Sequence, residues 1–360
     1  MKGISEFISK LLRTSGKRRS DETNLPCRRF SLAEIMTATN NFDHNLVIDW
    51  KAFGKVYKGF IDDRTISVAV KRMDLRSDED LFRNEVLLLC QLHHPNLVRL
   101  IGYCFDKCMA ITVFEFMVNR NLGDHIYATT RHEPLSWKQR LLICIGVARG
   151  LHYLHTRLKH TIIHRHVKPR NILLDEKWEA KLGDCELSEV GPPSLSKASI
   201  NMKFEQPAGT IGYIAPENFI ANVVGISDKS DVYSLGIVLL EVLCARAVVD
   251  VSVEREEEEV LVDWAQKCKE EGTINQIIDP HLTGKIAPEC LNIYVDIATS
   301  CVQVEEKDRP TIVEVEVGLE HALELQESAD AASKDVDPVC DQKCTTSTDL
   351  SLDTTTPNGK

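Results

Sequence analysis

The chain has 360 residues, 43% apolar and 27% charged, with a formal net charge of −11. These figures exclude a mainly disordered chain, a collagen-like fibre and a disulfide-stapled mini-protein, and they fit one large two-lobed domain or two domains. The acidic balance also argues against a nucleic-acid binder.

The charge is unevenly spread. Residues 1–30 carry eight Lys/Arg against three Asp/Glu. Ile4, Phe7, Ile8, Leu11 and Leu12 share one helical face there, flanked by Lys10, Arg13 and Lys17-Arg18-Arg19. That pairing of an apolar stripe with a basic cluster predicts membrane-surface contact through residues 1–19. Myristoylation is not available, because Gly3 follows Lys2. The twelve cysteines include no CxxC pair, and Cys90, Cys144, Cys244 and Cys301 sit in apolar runs. They are therefore expected to be reduced, in a cytoplasmic chain that lies peripherally at the plasma membrane.

After the arm and linker (1–29), a short helical segment is predicted over Phe30–Phe42. Strands follow at Val47–Ile48, Lys55–Phe60 and Ser67–Lys71, with Asp62-Asp63 as a hairpin turn. A helix at Asp80–Leu92 precedes strands near Leu97–Tyr103 and Ala110–Phe116. Helices then dominate: Trp137–His155, Ser230–Leu243, Val260–Glu271, Ala287–Val302 and Ile312–Gln326. The expected architecture is α+β, with a β-rich lobe over 30–117 and a helical lobe over 118–327. Residues 328–360 are rich in Ser, Thr and Asp and are expected to be disordered.

Several separated motifs, taken in order, resemble the protein-kinase signature set. Val68-Ala69-Val70-Lys71 is similar to the strand whose lysine holds nucleotide phosphates, and Glu85 is the acid that would clamp it. His164-Arg165-His166-Val167-Lys168-Pro169-Arg170-Asn171 resembles the catalytic loop, and Lys181-Leu182-Gly183-Asp184 leads into a metal-binding aspartate. Gly209 to Glu217, Ser230 to Gly236 and Asp308-Arg309-Pro310 complete the series. Taken alone, Lys71 and Glu85 would read as an ordinary surface pair. Their joint occurrence with the other motifs implies a bilobal protein-kinase fold.

The segments Phe30-Ser31-Leu32-Ala33-Glu34-Ile35 and Ala38-Thr39-Asn40-Asn41-Phe42 resemble the entry to plant receptor-like kinase domains. Trp264, Gln276 to Pro280, Gly284-Lys285-Ile286 and Gly318 to Leu323 are similar to the FERONIA-like, malectin-type branch. The resemblance covers about residues 28–327 and implies a receptor-like cytoplasmic form. It implies ATP held by Ile48, Gly54, Val56, Ala69, Lys71, Glu85, Glu115, Met117 and Leu173, with Mg2+ or Mn2+ on Asn171 and Asp184. Lys168 would neutralise the transferred phosphate, Asp231 would brace the catalytic loop, and Arg309 would pair with Glu217. Other receptor-like kinases or signalling proteins are the implied partners.

Three parts depart from that family. His166 stands where the catalytic aspartate is expected, and it reads as a structural histidine rather than a working base. Loss of a positioned base typically costs about 10²–10⁴-fold in rate. Ile48-Asp49-Trp50-Lys51-Ala52-Phe53-Gly54 retains one of three phosphate-loop glycines, and Asp184-Cys185-Glu186 replaces Asp-Phe-Gly. The expectation is a nucleotide-binding pseudokinase that acts as a scaffold or allosteric partner. The alternative is an active serine/threonine kinase that transfers the ATP γ-phosphate to protein Ser/Thr.

Overall fold

The computed structural model describes residues 27–51, 54–74, 82, 86–106, 109–127, 133–193, 200–202, 209–219, 224–249 and 260–334. The amphipathic arm, the body of the tail, the serines at 194–199, the acidic run at 256–259 and Glu85 lie outside these residues.

The smaller lobe is built from β1 (Arg28–Arg29), α1 (Leu32–Ala38), β2 (Val47–Lys51), β3 (Gly54–Ile61), β4 (Ile66–Asp74), β5 (Leu100–Asp106) and β6 (Met109–Glu115). The six strands form one sheet in the order β1-β5-β6-β4-β3-β2. Only the β1–β5 pair is parallel; the other pairs are antiparallel. Ser31 opens α1 with a capping box, in which the Glu34 N–H donates to Ser31 Oγ and the Ser31 N–H donates to Glu34 Oε2 at 2.7 Å. Ile35 and Ala38 of this helix pack with Val68, Val70, Ile111 and Val113 on one face of the sheet. Because strand side chains alternate, Ala69 and Lys71 are left to the other face, toward the interlobe cleft.

Two sequence expectations are corrected here. The chain joins the sheet at Arg28, inside the stretch expected to be a linker. The strand expected from Leu97 starts at Leu100, because residues 96–98 are bonded elsewhere: Leu97 bridges Leu182, and Val98 N–H donates to the Leu182 carbonyl at 3.0 Å. A third correction concerns the cysteines. Cys27 and Cys90 are joined by a disulfide across 63 residues, although Cys90 reads in sequence as a small hydrophobe in an apolar run.

The larger lobe contains α2 (Trp137–His152), β7 (His160–Ile163), β8 (Ile172–Leu174), β9 (Ala180–Leu182), β10 (Glu189–Pro193), β11 (Ile200–Met202), β12 (Val224–Ile226), α3 (Asp228–Cys244), α4 (Leu261–Glu270), α5 (Pro288–Cys301) and α6 (Ile312–Lys334). Helix α3 is apolar on most of its surface and buried except at Asp228, Lys229 and Tyr233, as expected of a helix at the centre of a lobe. Helix α6 runs to Lys334, past the expected start of the disordered tail at 328. Ala329 of this extension still packs against the core, which sustains the helix there. The end of α2 departs from α geometry: Tyr153–Arg157 form a π-helical turn. Among the described residues, no helix is long and apolar enough to cross a membrane.

Candidate active site

Between the lobes lies a cavity of about 340 Å³. Ile48 on β2, Val56 on β3 and Ala69 on β4 line its upper wall; Leu173 on β8 lines the lower wall, and Met117 lies at the back. All five were singled out from sequence, and the structure brings them together. Glu115 also lines the cavity, but its carboxylate is engaged: it accepts the Arg99 N–H at 2.8 Å and faces Lys181 Nζ at 3.4 Å. Gly54 stands outside the lining. A Cβ there would lie 2.0 Å from the Arg72 carbonyl oxygen, so the glycine is required by the close β3–β4 approach. Asp49 lines the cavity and accepts the Trp50 N–H at 2.8 Å.

The polar end of the cavity gathers Lys71, Asn171, Asp184 and Glu186. Lys71 is 7% exposed. Its Nζ lies 3.2 Å from Asp184 Oδ1 and also pairs with the Glu186 carboxylate. A buried ammonium is therefore shared between two carboxylates, and these supply the compensation that its desolvation requires. Asp184 holds a left-handed backbone, with φ 67° and ψ 62°, and the chain then enters a short 3-10 turn, Cys185–Leu187. A non-glycine residue in that region is locally strained, as is common at functional sites. This turn carries Glu186 back onto Lys71.

The catalytic-loop segment is held from beneath by Asp231 in the first turn of α3. The Asp231 carboxylate accepts the backbone N–H of His164 and of Arg165, each at 2.7 Å, and His155 Nε2 at 2.8 Å. The π-helical turn presents His155 to that carboxylate. Burial pushes the Asp231 carboxyl up, but the hydrogen bond and charge of His155, with the His164 contacts, outweigh it and hold the group below the usual range. His164 is fully buried, and burial keeps its imidazole pKa low. His164 Nδ1 accepts the His166 N–H, and Nε2–H donates to the Gly183 carbonyl, which fixes the neutral tautomer.

His166 lies beside the cavity rather than in its lining. Its Nε2 is 3.1 Å from Thr210 Oγ1, and its Nδ1 is 3.3 Å from Asp184 Oδ2. Lys168 Nζ donates to the same Thr210 hydroxyl at 2.7 Å. Asn171 Nδ2 donates to the His166 carbonyl at 2.8 Å, which ties the metal-ligand candidate to the loop. The Arg165 guanidinium reaches Glu189 at 3.2 Å and the Leu187 carbonyl at 3.3 Å. Burial lowers the Arg165 pKa and raises that of Glu189, so both charges depend on each other.

Arg309 and Glu217 meet as a two-pronged pair, Nη1 to Oε1 at 2.8 Å and Nη2 to Oε2 at 2.7 Å. Sequence reasoning missed two partners. Thr210 lies inside the Gly209 to Glu217 motif with no role assigned to it, yet it joins His166 to Lys168. Glu186 enters the sequence reading only as part of the Asp184-Cys185-Glu186 departure, yet it pairs with Lys71. A signal for both lay in their motifs, since each is within two residues of a recognised position.

The protein kinase domain family matches residues 52–321. The chain is 45% identical to the receptor-like protein kinase FERONIA of Arabidopsis thaliana over 325 residues, 90% of this chain. It is 48% identical to receptor-like protein kinase ANXUR2 over 308 residues (85%) and 44% identical to THESEUS 1 over 306 residues (84%), both of Arabidopsis thaliana. In each case the chain spans 35% of the relative's length. With the two-lobed α+β architecture and the motif set placed around one cleft, these matches show that the chain belongs to the protein kinase family, in the FERONIA-like branch of plant receptor-like kinases.

Proposed function

We propose that this chain is a catalytically impaired pseudokinase that binds ATP and serves as a scaffold or allosteric partner of active receptor kinases. The observation that carries the proposal is the engagement of His166. Thr210 holds Nε2, and Nδ1 faces Asp184. In the Nδ1–H tautomer Thr210 occupies the acceptor Nε2, and in the Nε2–H tautomer the acceptor Nδ1 faces the Asp184 carboxylate, so neither form presents an acceptor to a substrate hydroxyl. Glu186 adds to the impairment by pairing with the lysine that would hold phosphates.

The cleft fits a nucleotide. Its volume and apolar walls suit a purine-sized ring, and Asn171 and Asp184 offer the oxygen donors that Mg2+ or Mn2+ prefers. When bound, the metal ion would neutralise phosphate charge. Lys71 would orient the phosphates once Glu186 moves aside, and Lys168 would stay on Thr210.

A second reading, a working serine/threonine kinase, draws on the same contact. An imidazole nitrogen 3.1 Å from a hydroxyl is within reach for proton transfer. Thermal shift with ATP and Mg2+ or Mn2+, run beside a phosphorylation assay of wild type, Lys71→Ala and His166→Asp, separates the two. The expected result is a nucleotide-dependent shift with negligible phosphate transfer. Robust wild-type transfer that Lys71→Ala abolishes refutes the pseudokinase reading, and the absence of any shift refutes nucleotide binding. Membrane contact by residues 1–19 is part of the same proposal. A fluorescent fusion of the arm tests it, with Phe7→Asp and Leu11→Asp expected to release the fusion into the cytoplasm.

A further inference from the structure

We propose that Cys27 and Cys90 form a reversible redox modification site that ties the outer edge of the sheet to the wall of the cleft. The two Cα atoms are 6.0 Å apart, within the span a disulfide requires. Each cysteine is held in place by its own element. On one side, β1 pairs Arg28 with Gly102 and Arg29 with Tyr103, and the Phe30 N–H donates to the Tyr103 carbonyl at 2.8 Å. Gly102 makes this docking possible, because a Cβ there would lie 2.2 Å from the Arg28 carbonyl oxygen and 2.6 Å from the Phe30 ring. On the other side, Cys90 ends the helical residues 86–89, and its N–H donates to the Val86 carbonyl at 2.9 Å. Leu89, the residue before Cys90, lines the same cavity as Lys71 and Asp184. The bridge therefore clamps a cleft-lining turn to the sheet, and its opening removes that covalent tie.

The chemistry closes with a low-molecular-weight disulfide such as oxidised glutathione. The Cys27 thiolate attacks one glutathione sulfur and releases one glutathione thiolate; Cys90 then attacks Cys27 sulfur and releases the second. Two protein thiols are oxidised, their two protons pass to solvent or to the departing thiolates, and the glutathione disulfide is reduced. Access favours this site. Cys27 and Cys185 are the described cysteines that are not buried, and Cys185 belongs to the cleft itself.

The effect on ligand affinity rests on the nucleotide reading above, whereas the effect on backbone opening does not. The full chain is equilibrated in reduced and oxidised glutathione, the bridge is mapped by alkylation and mass spectrometry, and two readouts follow: hydrogen exchange at residues 86–92 and titration with a fluorescent ATP analogue. The expected result is a reversible 27–90 bridge, with exchange at 86–92 at least tenfold slower in the oxidised form and analogue affinity changed at least threefold. Both responses should vanish in Cys27→Ser and in Cys90→Ser. No 27–90 bridge, or equal exchange in the two redox states, overturns the proposal. A redox-sensitive exchange rate with no analogue binding in either state supports the switch and refutes nucleotide binding.

Discussion

Arg309→Ala tests how the larger lobe is held beneath the site. The Arg309 side chain is fully buried and Glu217 is 17% exposed. Besides its two bonds to Glu217, the guanidinium donates to the carbonyls of Gln303 at 2.7 Å, Val304 at 3.0 Å and Lys229 at 3.2 Å. Removing one partner of a buried pair costs about 3–5 kcal/mol, because the remaining charge keeps its desolvation penalty. Three backbone acceptors also lose a donor, at roughly 1 kcal/mol each where water does not replace it. Part of these costs overlaps, so the expected loss is about 5 kcal/mol. With an unfolding entropy of about 2.1 cal/mol/K per residue over the roughly 300 residues of the two lobes, that loss lowers Tm by roughly 8 °C. Urea unfolding of wild type, Arg309→Ala, Glu217→Gln and the double variant forms a cycle whose coupling energy should be about 2–3 kcal/mol. Arg309→Lys should recover only part of the loss, since an ammonium cannot span both carboxylate oxygens. A loss below about 1.5 kcal/mol for Arg309→Ala, or strict additivity with Glu217→Gln, refutes this account.

Replacing Glu186 by glycine removes a negative charge from Lys71, and ATP-analogue affinity should rise about tenfold, within the roughly 1–4 kcal/mol that a nearby unit charge supplies; unchanged affinity in a fluorescence titration would show that Glu186 does not compete with phosphate. Burial pushes the Glu241 carboxyl from its usual 4.5 up to about 7, against hydrogen bonds from Tyr127, Tyr213 and the Val248 N–H. The folded pKa exceeds the unfolded one, so the native state holds the extra proton, and this stabilisation is complete below about pH 4.5 and lost as pH rises through 7. Glu241→Gln should therefore lessen the fall in urea midpoint between pH 5 and pH 8; an unaltered slope counts against the assignment. Gly102→Ala should displace β1 and cost about 1–3 kcal/mol, with faster hydrogen exchange at Tyr103 as the diagnostic sign; exchange as slow as wild type would show that the strand accommodates the methyl group.

The positions legible in sequence are those carried by motifs that resemble the kinase set, together with those whose geometry follows from local periodicity. Once β4 is a strand, Ala69 and Lys71 must share a face, and Val68 and Val70 must take the other. That alternation sets which β4 side chains face the cavity, and the kinase resemblance names the rest of its walls. The contacts that were not legible join segments far apart in the chain. Thr210 meets His166 across 44 residues, and Cys27 meets Cys90 across 63. Neither spacing nor composition encodes such pairings, which arise only when the two lobes and the activation segment are placed. The predicted helix Trp137–His155 runs into the π-helical turn Tyr153–Arg157, where Tyr153 and Leu154 continue the apolar pattern of α2. The contact made there is tertiary: His155 reaches the buried Asp231 carboxylate. Gly54 shows the opposite case, a motif position whose local requirement, contact with the Arg72 carbonyl, is steric and would stand without any ligand.

The two residues of β1 also bear on solubility. A sheet edge with unsatisfied N–H and C=O groups is a template for pairing with another chain. Here β5 would be that edge, and Arg28–Arg29 cover part of it with charged side chains, one of which reaches Asp62 at 2.8 Å. A fragment trimmed to start at Phe30 would bare β5 and remove the bridge to Cys90 in the same cut. Such a fragment would then be prone to edge-to-edge association, and the aggregation would come from the trimming rather than from weakness in the fold.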